Sequence, residues 1–193
     1  LTSTTPVSCN GGNNGAAIVT AQSDEMPINY FLDGSPIGLS SGTFNGLLAG
    51  NHSIAVVDAN GCADTLNFNL VEPALLTIPL QITQQVSCFN GNNGLISATP
   101  QGGNGGYILN WSGPATPNPN GVPAGTYAVT VTDNKGCTAT NSIVLANPPQ
   151  LSVMLLANAP NCSNTADGSM EAIPTGGTGT IAYTWSIARS EES

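Results

Sequence analysis

The sequence has very few charged side chains, and this shortage excludes several kinds of partner. Among 193 residues only Lys135 and Arg189 are basic, eleven are acidic, and the formal net charge is −9. A protein that binds nucleic acid needs a cationic surface to displace the counterions of the phosphates. Binding to anionic membranes has the same requirement. We therefore expect no nucleic-acid partner and no attraction to an anionic membrane.

Long apolar runs and helical periods are also missing. No stretch approaches the roughly 18–20 apolar residues of a membrane-spanning helix, so we expect no membrane insertion. Ala, Glu, Lys and Arg never cluster at the helical spacing of about 3.6 residues, so no helix is predicted.

Groups that do catalysis or bind metals are equally scarce. His52 is the only histidine, so the sequence predicts no catalytic triad and no His-rich metal site. The five cysteines show no CxxC spacing, so no structural zinc site is predicted. The carboxylates are scattered and give no acid/base pair. We predict that the chain is not an enzyme and has no cofactor or resident metal.

What the chain has instead is short strands joined by turns. Hydrophobic residues make up 40% of it, and most of the rest is Thr, Ser, Asn, Gly and Pro. Alternation with a period of two predicts inward faces at Tyr127, Val129 and Val131, at His52, Ile54 and Val56, and at Leu66, Phe68 and Leu70. Turn signals about every 8–12 residues predict a small β-sandwich.

The sequence repeats itself. Residues 46–62 align without a gap over 121–137, which places Cys62 on Cys137 and Asp58 on Asp133; upstream, Cys9 aligns with Cys88. A third copy places Trp111 on Trp185. Such self-similarity indicates a tandem array. We predict all-β, Ig-like sandwich repeats of about 75 residues.

Three repeats are predicted. The first covers 1–73 and lacks the start of its first strand, the second covers 74–148 and is complete, and the third covers 149–193 with its N-terminal part only. We expect the chain to be a window on a longer array.

We expect the cysteines to form disulfide bonds that stabilise these units. A domain of this size buries only about 60% of its unfolded surface and is marginal alone. Four cysteines allow three connectivities; we predict Cys9–Cys62 and Cys88–Cys137, because pairing within repeats leaves Cys162 as the first cysteine of a copy whose second lies outside the chain. The alternative is buried thiols that act as small apolar side chains.

Eight Asn-Gly pairs accompany the repeats, among them Asn10-Gly11, Asn14-Gly15, Asn60-Gly61 and Asn93-Gly94. Both residues tolerate positive φ, so the pairs predict tight hairpin turns. A glycine loop that binds phosphate would need a following helix, and the segments that follow are strand-like instead.

Three other groups of residues have competing interpretations. Asp58 and Asp133 precede the second cysteines, where capping of a hairpin by an Asx-turn is predicted and a calcium site is the alternative. His52 aligns with Tyr127, which indicates packing. The aromatics could stack on sugars or fill the core: Tyr30, Phe31, Tyr107, Trp111, Tyr183 and Trp185.

Two segments carry a family resemblance: "SCFNGNNG" at 87–94 and "AGTYAVTVTDNKGC" at 124–137. They resemble the SprB-type repeat of very large cell-surface adhesins of Bacteroidetes, and less specifically PKD-type and other Ig-like bacterial domains. The resemblance implies an extracellular protein at the cell surface, exported by type IX secretion. It also implies O-glycosylation at Asp-Thr/Ser-aliphatic sites, for which Thr65 is the candidate.

The expected function is therefore a non-enzymatic repeat segment of a surface adhesin, forming a stalk or filament for attachment or gliding motility. Its expected partners are neighbouring repeats of the same chain, and other copies if a filament forms. The alternatives are a carbohydrate- or calcium-binding module, and a filament subunit completed by strand exchange between chains.

Overall fold

The computed structural model describes residues 1–114, 120–162 and 166–186. The end of the predicted third repeat, with Arg189, lies outside the described residues. The described residues form β-strands and turns and no helix, and the all-β prediction is confirmed. Within the described ranges no helix is long and apolar enough to cross a membrane.

The described residues contain fourteen β-strands, distributed from Ser3 to Thr175. In order they are β1 (Ser3–Thr5), β2 (Gly15–Ile18), β3 (Asn29–Leu32), β4 (Thr43–Leu47), β5 (Gly50–Val57), β6 (Ala63–Leu70), β7 (Leu80–Gln84), β8 (Gly94–Ala98), β9 (Ile108–Ser112), β10 (Asn120–Val122), β11 (Gly125–Thr132), β12 (Thr138–Leu145), β13 (Ser152–Asn158) and β14 (Ser169–Thr175).

The strands are arranged in small sheets, each of two or three strands. The sheet orders are β1-β2-β4, β3-β5-β6, β10-β8-β7, β12-β11-β9 and β13-β14. β5 and β6 pair antiparallel over their whole length, from Gly50 opposite Leu70 to Val57 opposite Ala63.

The chain divides into two compact units. The first consists of Leu1–Pro79, Ala98–Asn110 and Val129–Asn141, and the second of Leu80–Ser97, Trp111–Ala128 and Ser142–Ser193. The predicted repeat boundaries at residues 73 and 148 come from sequence self-similarity and stay a prediction.

The first unit contains a core formed mainly by β2, β4, β5 and β6. Its buried members are Ala17, Val19, Ile28, Tyr30, Phe44, Leu47, Ile54 and Leu70. Leu66 and Phe68 are partly buried against this core, so the inward face predicted for β6 is confirmed.

The second unit has a core of Val86, Ile96, Val122, Tyr127 and Leu145. Tyr127 is fully buried, and its hydroxyl donates a hydrogen bond to the Pro123 carbonyl over 2.7 Å. Val129 and Val131, which lie further along β11 and belong to the first unit, are also buried, and this confirms the alternation predicted for β11.

The two tryptophans at equivalent repeat positions differ in their surroundings. Trp111 is partly buried against the second core, as a sandwich tryptophan should be. Trp185 is 53% exposed, so core packing holds for one copy only.

The Asn-Gly pairs serve two different purposes. Gly11 and Gly61 have positive φ of 70° and 85°, and the turns predicted there are confirmed. The predicted turns at Asn14-Gly15 and Asn93-Gly94 are wrong, because Gly15 and Gly94 are the first residues of β2 and β8.

Close approach explains the glycine at these two strand starts. A Cβ on Gly15 would lie 2.8 Å from the Leu47 carbonyl oxygen and 2.9 Å from a methyl of Leu70. A Cβ on Gly94 would collide with a methyl of Leu145. The lack of a side chain thus lets a core leucine reach the strand backbone.

Candidate functional site: a disulfide held by Asp133 and Asn104

The structure contains a disulfide between Cys9 and Cys137. The S–S distance is 2.05 Å, and the two Cα atoms are 5.6 Å apart. The pairing predicted within repeats, Cys9–Cys62 and Cys88–Cys137, is therefore not the one in the structure. Cys62 and Cys88 are exposed thiols, so the alternative of buried thiols does not describe them either. The structure places Cys162 at the surface as well.

The loop that carries Cys9 is fixed by its own side chains. The backbone N–H of Ser8 donates to Asn14 Oδ1 over 2.9 Å, and Asn14 Nδ2 donates back to the Ser8 hydroxyl over 2.7 Å. The Gly12 N–H donates to the Cys9 carbonyl over 2.9 Å. The Asn of the Asn14-Gly15 pair therefore closes the cysteine loop instead of forming a hairpin turn.

The hairpin that carries Cys137 connects β11 to β12 and is organised by Asp133. Oδ1 of Asp133 accepts hydrogen bonds from the N–H groups of Lys135, over 2.8 Å, and Cys137, over 3.0 Å. Gly136 completes the turn with φ of 83°. The Asx-turn predicted for Asp133 is confirmed.

Asn104 connects the hairpin to the cysteine loop. Its backbone N–H and its Nδ2 both donate to Asp133 Oδ2 over 2.8 Å, and Nδ2 also donates to the Ser8 carbonyl over 2.8 Å. Sγ of Cys137 lies 3.2 Å from the same carbonyl oxygen. We call these five residues (Ser8, Cys9, Asn104, Asp133 and Cys137) the cystine joint.

Sequence reasoning missed Asn104. The residue lies in the run "GGNGG" at 102–106, which reads as a flexible turn. The available signal was that Asn104 is the only non-glycine residue in this five-residue run. In the structure the backbone of the run passes close to Asp133. A Cβ on Gly103 would lie 2.7 Å from Asp133 Oδ2, so glycine is needed beside it.

The carboxylate at the centre of the joint is a strongly ionised group. Burial works to raise the pKa of Asp133, but hydrogen bonds from the Asn104 side chain and from the N–H groups of Asn104, Cys137 and Lys135 outweigh burial and lower the pKa to about 2. Only 3% of the residue is exposed. Both oxygens are occupied by N–H donors, so a calcium ion would have to displace them.

The first repeat has the same hairpin at Asp58. Its Oδ1 accepts the N–H groups of Asn60 and Cys62 over 3.0 and 2.9 Å, and the Ser23 hydroxyl donates to its Oδ2 over 3.0 Å. The N–H of Cys62 is the main cause that lowers the pKa of Asp58. The Asx-turn prediction is confirmed here too, and the Cys62 N–H donates to Asp58 as the Cys137 N–H donates to Asp133.

No group of three or more His, Cys, Asp or Glu side chains that could hold a metal ion occurs among the described residues. Nε2–H of His52 donates to the Leu48 carbonyl over 3.0 Å, and Nδ1 lies within hydrogen-bond distance of Asp33 Oδ2 at 2.8 Å. The His52 ring stacks on Phe68 with the ring centroids 5.5 Å apart. The hydrogen bond with Asp33 is the main cause that raises the pKa of His52. The packing role predicted for His52 is confirmed.

A shallow groove of about 690 Å³ lies beside this pair. It is lined by Asp33, Asn51, His52, Ser53, Asn67 and Phe68. Of the aromatics considered as a sugar platform, Tyr30 is buried in the core, whereas Tyr183 and Trp185 are each 53% exposed.

Thr65, the candidate for O-glycosylation, is exposed on β6, where it faces Ala55 of β5 in the ladder. Its N–H donates to Asp64 Oδ1 over 2.8 Å. The side chain is accessible, and its modification stays a prediction.

Comparison with known proteins identifies one family. A family model described as the SprB repeat matches residues 1–34 and residues 80–116. Neither match includes the second cysteines or the hairpins around Asp58 and Asp133. No curated protein and no solved structure matches the chain.

Proposed function

Since this chain carries SprB-type repeats, we propose that it is a non-enzymatic segment of a cell-surface adhesin that forms a stalk or filament. In this proposal the repeats bear load between the cell and the surface it grips, during attachment or gliding. Export by type IX secretion and O-glycosylation at Thr65 belong to the same proposal. The SprB repeat family is associated with cell-surface proteins, and this supports an extracellular location.

The observation that carries the proposal is the cystine joint. Cys9 and Cys137 both lie in the first compact unit, and in sequence they fall in the segments predicted as the first and second repeats. In this proposal the bond therefore connects consecutive sequence repeats. Force applied along the chain is then borne by a covalent bond, while the hydrogen bonds of Asn104 and Asp133 position it. A disulfide that persists also suits the oxidising environment outside the cell.

A pulling experiment tests the load-bearing role. The oxidised chain is stretched from its two ends by single-molecule force spectroscopy and then exposed to a reductant. Reduction should release the chain segment between the cysteines, whose sequence separation is 128, and this lengthens the extended chain by about 430 Å at roughly 3.4 Å per residue. A chain that shows its full length before reduction would contradict the proposal.

Adhesion itself needs a separate measurement. Beads coated with the oxidised chain should resist detachment from glass and from polysaccharide films under flow better than uncoated beads. Retention equal to that of the bare bead would limit this segment to the role of a spacer. Antibody labelling of intact cells that carry the protein would test the surface location.

The groove beside His52 favours a second candidate, carbohydrate binding. Asn51 and Asn67 bring amide groups to the groove, Asp33 adds a carboxylate, and Phe68 adds an aromatic ring. Sugars are commonly bound by such a combination of polar groups and ring faces. Calorimetry of the full chain with a glycan panel tests it, with His52→Ala as the variant that should lose binding; flat titrations would exclude the groove.

A further inference from the structure

Cys88 lies in a loop built like the loop of Cys9. The N–H of Ser87 donates to Asn93 Oδ1 over 3.0 Å, as Ser8 does to Asn14 over 2.9 Å. The turn is closed by the Gly91 N–H on the Cys88 carbonyl over 2.9 Å, which is the distance found at Gly12 and Cys9. One of these two loops holds a disulfide and the other presents an exposed thiol.

The Ser87 carbonyl is also contacted as the Ser8 carbonyl is. Thr178 Oγ1 donates to it over 2.5 Å, and Thr178 occupies the position in the third repeat that Asn104 occupies in the second. The turn around Thr178 is the same as well, because the Gly177 N–H donates to the Pro149 carbonyl as the Gly103 N–H donates to the Ala74 carbonyl. The glycine turn of the predicted third repeat, around Thr178, therefore lies beside Cys88 as the turn around Asn104 lies beside Cys9.

In the part of the chain that the structure describes, no hairpin equivalent to that of Asp133 and Cys137 lies beside Cys88. The same hairpin strands are missing over the apolar face of β13 and β14. Met170 is 59% exposed, whereas its equivalent Ile96 is 4% exposed and packs in one core with Val122, Tyr127 and Leu145. Val153 is 61% exposed, and its equivalent Ile78 is 3% exposed.

We propose that Cys88 is a covalent docking site for the cysteine hairpin of a SprB-type repeat, of the form Asp-x-x-Gly-Cys, whose strands cover β13 and β14. The first cysteine of one repeat then bonds to the second cysteine of the next, as Cys9 bonds to Cys137. The site goes beyond the adhesive role, because it would exist whatever the array binds.

The bond forms by thiol–disulfide exchange. The Cys88 thiolate attacks the sulfur of a hairpin cysteine that is held as a mixed disulfide with a small thiol, such as glutathione. The Cys88 Sγ–hairpin Sγ bond forms, the mixed disulfide breaks, and the small thiol leaves as a thiolate that takes up a proton. The oxidant is the low-molecular-weight disulfide that made the mixed disulfide.

A capture experiment with the full chain tests the proposal. The probe is a synthetic peptide with the sequence of residues 121–145, which carries the hairpin and the core positions of Val122, Tyr127 and Leu145. Chain and peptide are equilibrated in a buffer of reduced and oxidised glutathione, and the bonded cysteines are identified by non-reducing peptide mapping. We expect at least tenfold more peptide on Cys88 than on Cys62.

Two controls make the outcome decisive. Cys62 is the matched control within the chain, because it is an exposed thiol on a hairpin and should not accept a second hairpin. A peptide with Val122→Ser and Tyr127→Ser keeps the cysteine but loses its apolar strand positions, and it should lose the preference for Cys88. Equal capture at Cys88 and Cys62, or equal capture of both peptides at Cys88, would overturn the proposal.

A second readout follows the apolar face. In the Trp111→Phe variant, Trp185 is the remaining tryptophan, and its emission should shift to the blue when the unmodified peptide binds and covers the groove that Trp185 lines with Leu151 and Val153. Capture at Cys88 without this shift would show a reactive thiol and no docking.

Discussion

Cys9 and Cys137 are 128 residues apart in sequence, and their Cα atoms are 5.6 Å apart in the fold. The bond joins a loop near the start of the chain to a hairpin that belongs to the next copy of the repeat. Asn104, which lies 33 residues before Cys137 in sequence, donates hydrogen bonds to the Ser8 carbonyl and to Asp133. The joint is therefore built from three segments of the first compact unit that are far apart in sequence.

Loss of this disulfide should destabilise the chain strongly. A loop of this length corresponds to about 5 kcal/mol on the chain-entropy model, and measured effects are typically about 2–4 kcal/mol. Cys9→Ser and Cys137→Ser should each lower the free energy of unfolding by about 2–5 kcal/mol in urea titrations.

Cys62→Ser and Cys88→Ser are the matched controls, since both thiols are exposed and unbonded. Each should change the unfolding free energy by less than about 0.5 kcal/mol. Non-reducing peptide mapping gives the direct check, and recovery of Cys9–Cys62 and Cys88–Cys137 would contradict the structure.

Acid should weaken the joint through Asp133. Its pKa is about 2 in the folded chain and about 4 when unfolded. Because the folded pKa is the lower one, the stabilisation is present above about pH 4 and is lost as the pH falls through about 2. Thermal melts of the wild type should show this loss, and Asp133→Asn should melt lower at pH 7 with a flatter profile between pH 4 and 2. An unchanged profile in the variant would assign the acid sensitivity elsewhere.

The glycine that begins β8 should resist substitution. Gly94→Ala places a methyl group against Leu145, and overpacking of this kind costs about 1–3 kcal/mol. The double variant Gly94→Ala/Leu145→Val removes the colliding methyl and should recover part of the loss, which a double-mutant cycle would measure. Strictly additive losses would mean that the two groups do not meet.

The pair of His52 and Asp33 should make a small contribution that depends on pH. The pKa of His52 is raised from 6.5, so its stabilisation is complete below that value and is lost as the pH rises through the folded pKa. The pKa of Asp33 is lowered: burial works to raise it, and hydrogen bonds from His52 and Ser53 outweigh burial. That stabilisation is present above about pH 4 and is lost on acidification.

His52→Gln should therefore lower the melting temperature most between about pH 4 and 6.5. The effect should stay below about 1 kcal/mol, because the Asp33 side chain is 45% exposed and the pair is screened by solvent. A loss that is independent of pH would point to the stacking of His52 on Phe68 instead.

Periodicity predicted the strands well because side-chain burial alternates with a period of two wherever one face of a sheet is exposed to solvent. Tyr127, Val129 and Val131 alternate with half-exposed neighbours in β11, as their spacing required. The same reasoning identified the hairpins at Asp58 and Asp133, where the Asx side chain bonds within four residues of itself.

The disulfide partners were beyond this kind of reasoning. Self-similarity assigns each cysteine to a repeat, but it does not say whether the second cysteine folds back to its own repeat or onto the preceding one. In the structure Asn104 links the Asp133 hairpin to Ser8, and such contacts between distant parts of the sequence leave no local pattern from which to predict the pairing. The glycines at 15 and 94 were misjudged for a related reason, because only the fold shows that Leu70 and Leu145 approach them.

The long span of the Cys9–Cys137 bond also determines what a protease can achieve. A single cut anywhere between the two cysteines leaves both products tied through sulfur, so the severed strand ends stay close enough to remain paired. An array linked in this way would lose no part of itself to one cleavage. Covalent release of a fragment from between the cysteines would need two cuts between the same pair of bonded cysteines, or one cut and reduction of the bond.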